Sequence, residues 1–258
     1  MRVVGLKRVA IVLPLILILI ISIPLAANAV NPPPKHVLGQ GQALVLSSLN
    51  QVFPMGTYAY NLIHYLTSAG YNVTYLTDSA ITVDFLLNNL NRYSVIVWRT
   101  NIFTWVHTLY WYLGERNNDG VEQKYASDFA SGWLNDRTGI VGFTPDMITN
   151  HLGPNSLTGV RLMIFTASNG NSIAPIFQTA GVQSIIYCNG PISIQYGLLD
   201  DLTVQMTAFL VQGQSVYTAV YNTVSPFSQG QLQQQPIYLD TTYAPPFWYI
   251  GDGTLTIV

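Results

Sequence analysis

Two stretches of the chain decide the fold: SVIVWRTN at residues 94–101 and VRLMIFTASNG at residues 160–170. Each is a short apolar run followed directly by a cluster of small or polar residues. The runs at 43–46 and 182–188 have the same design. Short apolar runs bounded by turn residues are typical of strands covered on both faces of a parallel sheet. We therefore expect these runs to be strands of one sheet.

Helical patterns separate these predicted strands. Apolar side chains recur every three to four residues, which predicts amphipathic helices. These helices are expected at residues 55–69, 82–90, 173–180, 198–212 and 215–222, with a further strand at 71–76. Alternating strands and helices predict an α/β fold, in which a mostly parallel sheet is flanked by helices on both faces.

An aromatic-rich insertion at residues 102–159 interrupts this alternation. We interpret it as irregular, apart from strand-like residues 103–113. A turn is expected at Asp119-Gly120, a helix at 125–134, and a helix start at Thr144.

The amino-terminal segment has the pattern of a secretory signal. A basic start, an apolar run at 9–26 and the small-x-small site Ala27-Asn28-Ala29 predict cleavage near Val30. The apolar run is about as long as the shortest membrane spans, so an uncleaved anchor is the alternative. With cleavage, we expect an extracellular or cell-surface protein that has no stable membrane span.

These patterns divide the chain into four parts. Residues 1–29 are the predicted signal peptide and residues 30–40, with Pro32-Pro33-Pro34, a stiff linker. Residues 41–225 form the α/β domain. Residues 226–258 form a tail expected to pack on that domain, with strand-like pieces at 237–239 and 255–258.

The chain carries few charges. Only 9% of its residues are charged, against roughly 25% in ordinary soluble proteins. Without residues 1–29, seven Lys and Arg remain against 12 Asp and Glu, a net charge of −5. Nucleic acid needs a basic surface, so the composition argues against a nucleic-acid partner.

Between residues 40 and 225 the chain resembles the caspase, clostripain and gingipain-like (CHAT-like) cysteine peptidases. The resemblance rests on the predicted order strand-helix-strand-helix-strand, insertion, strand-helix-strand-helix. Its clearest segments are the strand tip TASNG at 166–170, the strand GVQSII at 181–186 and the helix GQSVYTAV at 213–220. It implies a caspase-like fold, with a catalytic His after one strand and a catalytic Cys after another.

The positions that match the family's His and Cys are occupied by Asn101 and Ser168. A His-paired thiolate forms readily near neutral pH, whereas an alcohol needs a strong base. The resemblance therefore implies a scaffold without its peptidase chemistry. The alternative is an active hydrolase that uses Ser168 with a non-standard base, for which His107 is the candidate.

Charged residues near the strand ends suggest a binding site. Arg99 lies at a strand tip in a chain with few charges, so we expect it to pair with Glu122 or Asp200. The Asp200-Asp201 pair lies at the start of the helix expected at 198–212, where acids are stabilised by the helix dipole. A pocket for a cation or a basic residue is the other interpretation of this pair.

Five large aromatic residues lie between positions 103 and 112, among them Trp105 and Trp111. We predict that residues 103–113 form a contact surface outside the core, because exposed aromatic patches often mark partner sites. The single cysteine, Cys188, lies in an apolar run and is interpreted as a small buried residue near the site. No histidine has metal-ligand spacing, so no metal or cofactor is predicted.

Three functions follow as hypotheses. The first is a secreted, inactive caspase-like domain that binds a peptide, a glycan or a protein subunit. The second is the Ser168 hydrolase. The third is a purely structural component of a surface layer or filament that self-associates. The sequon Asn72-Val73-Thr74 is a candidate glycosylation site in an exported chain.

Overall fold

Buried strands of Val, Ile and Leu pair side by side to build the central sheet. The computed structural model describes residues 41–48, 50–51, 54, 56–136, 139–188, 196–228 and 247–258. Its six-stranded sheet has the order β10-β9-β8-β3-β1-β2. The strands are β1 (Gln42–Ser47), β2 (Asn72–Thr77), β3 (Val95–Arg99), β8 (Leu162–Thr166), β9 (Ser184–Cys188) and β10 (Phe247–Gly251). All neighbours pair in parallel except β10, which runs antiparallel to β9.

Helices cover both faces of this sheet. They are α1 (Thr57–Ser68), α2 (Val83–Asn89), α3 (Asp119–Lys124), α4 (Ala126–Ala130), α5 (Pro145–His151), α6 (Ala174–Thr179), α7 (Tyr196–Val211) and α8 (Val216–Ser228). Side chains alternate between the faces along each strand. One face packs with α1, α7 and α8, and the other with α2, α5 and α6. The predicted α/β class, a mostly parallel sheet flanked by helices, is confirmed.

The insertion forms a second sheet, which the sequence did not predict. This four-stranded antiparallel sheet has the order β4-β5-β7-β6. Its strands are β4 (Ile102–Trp105), β5 (Thr108–Arg116), β6 (Leu134–Asn135) and β7 (Ile140–Phe143). Antiparallel pairing closes locally, so these strands need no crossover helix.

Local capping explains where several helices begin. Thr144 accepts a hydrogen bond from the Met147 N–H, so the predicted helix start is correct. The turn expected at Asp119-Gly120 is instead the first turn of α3, because the side chain of Asn118 caps it.

Two further expectations are wrong. The helix expected at 125–134 is only α4, because Gly132 adopts a left-handed φ of 72° and the chain continues into β6. The strand expected at 255–258 is not a strand, although Leu255 and Ile257 are buried. The tail strand of the sheet is β10. The piece expected at 237–239 and the predicted signal lie outside the described residues.

Among the described residues, no helix has both the length and the apolar character needed to cross a membrane.

Candidate functional site

A row of polar side chains crosses the sheet at the carboxyl ends of its strands. The strand register aligns Thr77 of β2 with Ser47 of β1, Ser47 with Arg99 of β3, and Arg99 with Thr166 of β8. Val45, Val97 and Ile164 point to the face of the sheet that α1 and α7 cover. Alternate residues of a strand share a face, so Ser47, Arg99 and Thr166, two positions further on, lie on that same face. Carboxyl ends of parallel strands are where functional groups gather in such sheets.

Arg99 and Asp200 form a buried ion pair at the centre of this row. The Arg99 Nε donates to Asp200 Oδ1 at 2.8 Å, and Nη2 donates to Oδ2 at 3.1 Å. The side chains are only 3% and 12% exposed. Of the two predicted partners, Asp200 is therefore the one that Arg99 binds. Glu122 instead accepts a hydrogen bond from Asn117.

The helix-capping interpretation of Asp200 is wrong. Helix α7 begins at Tyr196, so Asp200 lies in its second turn and not in the first. Burial raises the pKa of Asp200 above its ordinary value, and the charge of Arg99 opposes that rise. The pair therefore ties α7 to the end of β3 and balances the guanidinium charge.

Helix residues complete the buried polar cluster. Thr166 lies 3.2 Å from Thr203, whose hydroxyl donates to the Leu199 carbonyl at 2.8 Å. Thr166 is therefore the donor in the threonine pair, since the Thr203 proton is already used. The Tyr58 hydroxyl lies beside both threonines, and burial raises its pKa strongly.

Tyr58 and Thr203 were missed by the sequence analysis. Both sit at helix positions with core spacing, and nothing in their local sequence separates them from ordinary core residues. Within the described part of the chain, the buried hydroxyls of Ser47 and Tyr58 have no hydrogen-bond partner of good geometry.

Asn101 and Ser168 follow neighbouring strands. Each lies two residues beyond the aligned pair Arg99 and Thr166, and the Thr100 N–H donates to the Thr166 carbonyl at 3.1 Å. The Asn101 side-chain oxygen accepts from the Ile102 N–H at 2.8 Å. Its carbonyl accepts from the Tyr112 N–H at 3.0 Å, so Asn101 anchors the start of the β4–β5 hairpin.

Ser168 is half-buried on a tight turn between β8 and α6. Asn169 follows in the left-handed conformation, with φ 53°. A side chain at Gly170 would place its Cβ 2.9 Å from the Cys188 carbonyl oxygen, so the turn requires glycine. The geometry of this tip is therefore fixed by close packing against the end of β9.

Cys188 is fully buried beside this turn. Burial raises the pKa of its thiol, and the backbone N–H of Ala167 opposes the rise. The interpretation as a small buried residue is thus correct, but a role in direct ligand binding does not fit this burial. A thiol kept protonated in this way is also a poor nucleophile.

His107 and Trp105 lie at the exposed tip of the β4–β5 hairpin. Val106 and His107 form its turn, with φ of 46° and 66°. Trp105 is 43% exposed. The three steps of β4 from Ile102 to Trp105 span about 10 Å at the usual strand rise. His107 is therefore separated along the chain by a full strand from the end of β3, where Asn101 lies.

The prediction that residues 103–113 form a contact surface outside the core is wrong for Trp111. Its side chain is 0% exposed, and its ring contacts Phe143 with centroids 6.2 Å apart. Strand β5 is central in the second sheet, and alternation turns Trp111 and Leu113 toward the main sheet. The exposed part of this region is the hairpin tip.

A histidine and a carboxylate pair within the insertion. His151 Nε2 lies 2.9 Å from the buried Asp128 Oδ1, in the insertion. Where the structure describes the chain, no group of three or more His, Cys, Asp or Glu is arranged to hold a metal ion.

A scan against models of protein families and a search of curated proteins both gave no match.

Proposed function

We propose that this protein is a secreted, catalytically inactive caspase-like domain that acts in binding or in assembly at the cell surface. Two things support the caspase-like part. The order of elements on which the resemblance rests, strand-helix-strand-helix-strand, insertion, strand-helix-strand-helix, runs from β1 to α8. Asn101 and Ser168, the positions that match the catalytic pair, follow adjacent strands.

The chemistry of these two positions carries the proposal of inactivity. An amide cannot accept and return a proton, so Asn101 cannot activate a nucleophile. Its side-chain oxygen is also used by the Ile102 N–H. Ser168 keeps a hydroxyl at the right strand end, but a serine needs a neighbouring base to attack a carbonyl.

The surroundings of the pair favour a binding role. Arg99 is neutralised by Asp200, so the centre of the edge holds a buried, charge-balanced cluster. The hairpin that leaves β3 carries Trp105 and Val106 with large exposed apolar surface. Exposed aromatic side chains supply much of the energy of protein interfaces.

To test for inactivity, the purified protein is incubated with peptide substrates that contain Lys, Arg or Asp before the scissile bond. A second sample is incubated with a fluorophosphonate, which labels nucleophilic serines. We expect no turnover and no labelling above the level of a Ser168→Ala variant. An active peptidase of the resembled family serves as positive control. Turnover or labelling that Ser168→Ala abolishes would establish the hydrolase instead.

The test of binding immobilises the protein and exposes it to a cell-surface fraction of the source cells. We expect Trp105→Ala to reduce retention of a specific component. Tyr60→Ala is the matched control, because Tyr60 is an exposed aromatic residue on α1. Equal retention by both variants would exclude the hairpin as the contact.

A further inference from the structure

The chain contains a single N-x-Ser/Thr sequence, Asn72-Val73-Thr74. It lies at the start of β2, and Asn72 is exposed. The Asn72 backbone N–H donates to the Gly41 carbonyl at 3.0 Å, toward β1. The backbone is thus held in the sheet while the side chain stays accessible.

Strand β2 is the outermost described strand on this side of the sheet. Its sequence, NVTYLT, contains no charged residue and no proline. Charges and prolines are the usual means by which edge strands avoid pairing with other chains. Thr, Tyr and Val instead favour strand pairing, so the residues of β2 themselves carry neither of these two protections.

A glycan at Asn72 would supply that protection without covering the candidate site. The five steps from Asn72 to Thr77 span about 16 Å along the strand. The polar row with Arg99 lies level with Thr77 at the carboxyl end. A bulky, hydrophilic group at the amino end therefore leaves the carboxyl edge open.

We propose that Asn72 carries an N-linked glycan and that this glycan shields the amino end of the β2 edge from association with a second copy of the chain. The inference rests on the proposed function in one respect, namely export from the cytoplasm. In this transfer the Asn72 amide nitrogen forms a bond to the anomeric carbon of a sugar carried on a lipid pyrophosphate, the bond from that carbon to the pyrophosphate breaks, and the lipid pyrophosphate leaves while the amide loses a proton. Thr74 supplies the hydroxyl that the sequon requires.

The experiment follows the full chain in the cells that produce it. Intact mass and fragmentation of the peptide containing Asn72 measure the modification, while cell fractionation and amino-terminal sequencing measure export. We expect the exported chain to carry a glycan mass on Asn72. Asn72→Gln and Thr74→Val should remove that mass, whereas the matched control Thr74→Ser should keep it.

Light scattering of the purified proteins tests the shielding. We expect the unmodified variants to form larger species than the native chain and Thr74→Ser. An exported chain with an unmodified Asn72 would refute the proposed glycosylation but would leave the proposed function unaffected. A chain retained in the cytoplasm would overturn both. A glycan whose loss leaves particle size unchanged would overturn the shielding.

Discussion

Arg99 and Asp200 are 101 positions apart in the chain, yet two hydrogen bonds of 2.8 and 3.1 Å join them. One comes from the end of β3 and the other from the second turn of α7. The pair is bidentate and almost wholly buried, so it defines how α7 sits on the carboxyl ends of the strands.

We expect Asp200→Asn to destabilise the protein by about 3–5 kcal/mol, because it leaves the Arg99 charge buried without its counter-charge. Denaturant unfolding measures this change. Asp201→Asn is the matched control, since Asp201 is exposed and adjacent. A loss for Asp200→Asn no larger than the control's would mean that water solvates Arg99.

The two tryptophans of the hairpin should respond very differently to truncation. Trp111→Ala should cost about 3–5 kcal/mol of unfolding free energy, the scale for a core Trp. Trp105→Ala should cost about 1 kcal/mol or less, because Trp105 is 43% exposed whereas Trp111 is fully buried. Thermal and urea unfolding of the two variants tests this, and equal losses would contradict the burial assigned to Trp111.

Gly114 allows a steric prediction. It has φ 130°, and a Cβ added there would lie 2.2 Å from the Asp78 carbonyl oxygen. Gly114→Ala should therefore lose about 1–3 kcal/mol through overpacking, with about 1–2 kcal/mol more from the backbone conformation. Gly153→Ala should be nearly neutral, since nothing lies within 4 Å of its added Cβ. Comparable stability of the two variants would refute this clash.

Asp84 supplies a pH-dependent prediction. Hydrogen bonds from Lys124 and from the Tyr125 hydroxyl, the latter at 2.6 Å, hold the pKa of Asp84 below its ordinary value. A lowered pKa means that the unfolded chain takes up the proton first on acidification. Asp84 therefore contributes stability above about pH 4, and this contribution disappears as the pH falls through the folded-state pKa.

The measurement compares the unfolding free energies of the native protein and Asp84→Asn between pH 7 and pH 2. The difference should be present at pH 7 and shrink in acid. Lys124→Met should reduce the same difference at pH 7, because Lys124 is the first cause of the lowered pKa. A difference independent of pH would exclude this titration.

Thiol chemistry tests the relation between Asn101 and Ser168. In the folded native protein, the only cysteine is buried, so iodoacetamide should leave it unmodified until the chain is denatured. The double variant Asn101→His with Ser168→Cys should be alkylated at position 168 while folded. It should react faster near neutral pH than Ser168→Cys alone, because a nearby imidazole favours the thiolate. Equal rates would mean that the two positions do not interact.

The main sheet was predictable because its strands are apolar runs with clear ends. The runs at 95–98 and 160–165 appear as Val95–Arg99 and Leu162–Thr166, shifted by at most two residues. Burial on both faces makes such strands stand out whatever their neighbours are. Helices α1, α2 and α7 were found for the same reason, through the regular spacing of their apolar side chains.

The second sheet was not predictable in the same way. Strands β6 and β7 have two and four residues, and IVGF at 140–143 contains too few positions to show a period. The burial of Trp111 depends on this sheet packing against the main sheet, because Trp111 and Trp98 of β3 belong to the same buried core cluster. Aromatic composition alone cannot distinguish such a core strand from an exposed patch.

The site was predictable in part. Arg99, Asn101 and Ser168 follow apolar runs, so their place at the sheet edge could be inferred from order in the chain. Tyr58 and Thr203 reach the same cluster only because α1 and α7 pack side by side over the strands. The packing of these two helices is a tertiary contact, and local sequence patterns do not predict such contacts.

The antiparallel strand β10 has a consequence for how the protein is made. Phe247 aligns with Cys188 and completes the sheet beside β9, but it is synthesised nearly 60 residues later. In a nascent chain that has emerged only as far as α8, the edge of β9 that will pair with β10 is still unpaired. Unpaired strand edges make incompletely folded chains prone to aggregation. The main sheet can therefore be completed only after translation has passed Gly251, and until then the nascent chain keeps one edge of its sheet unpaired.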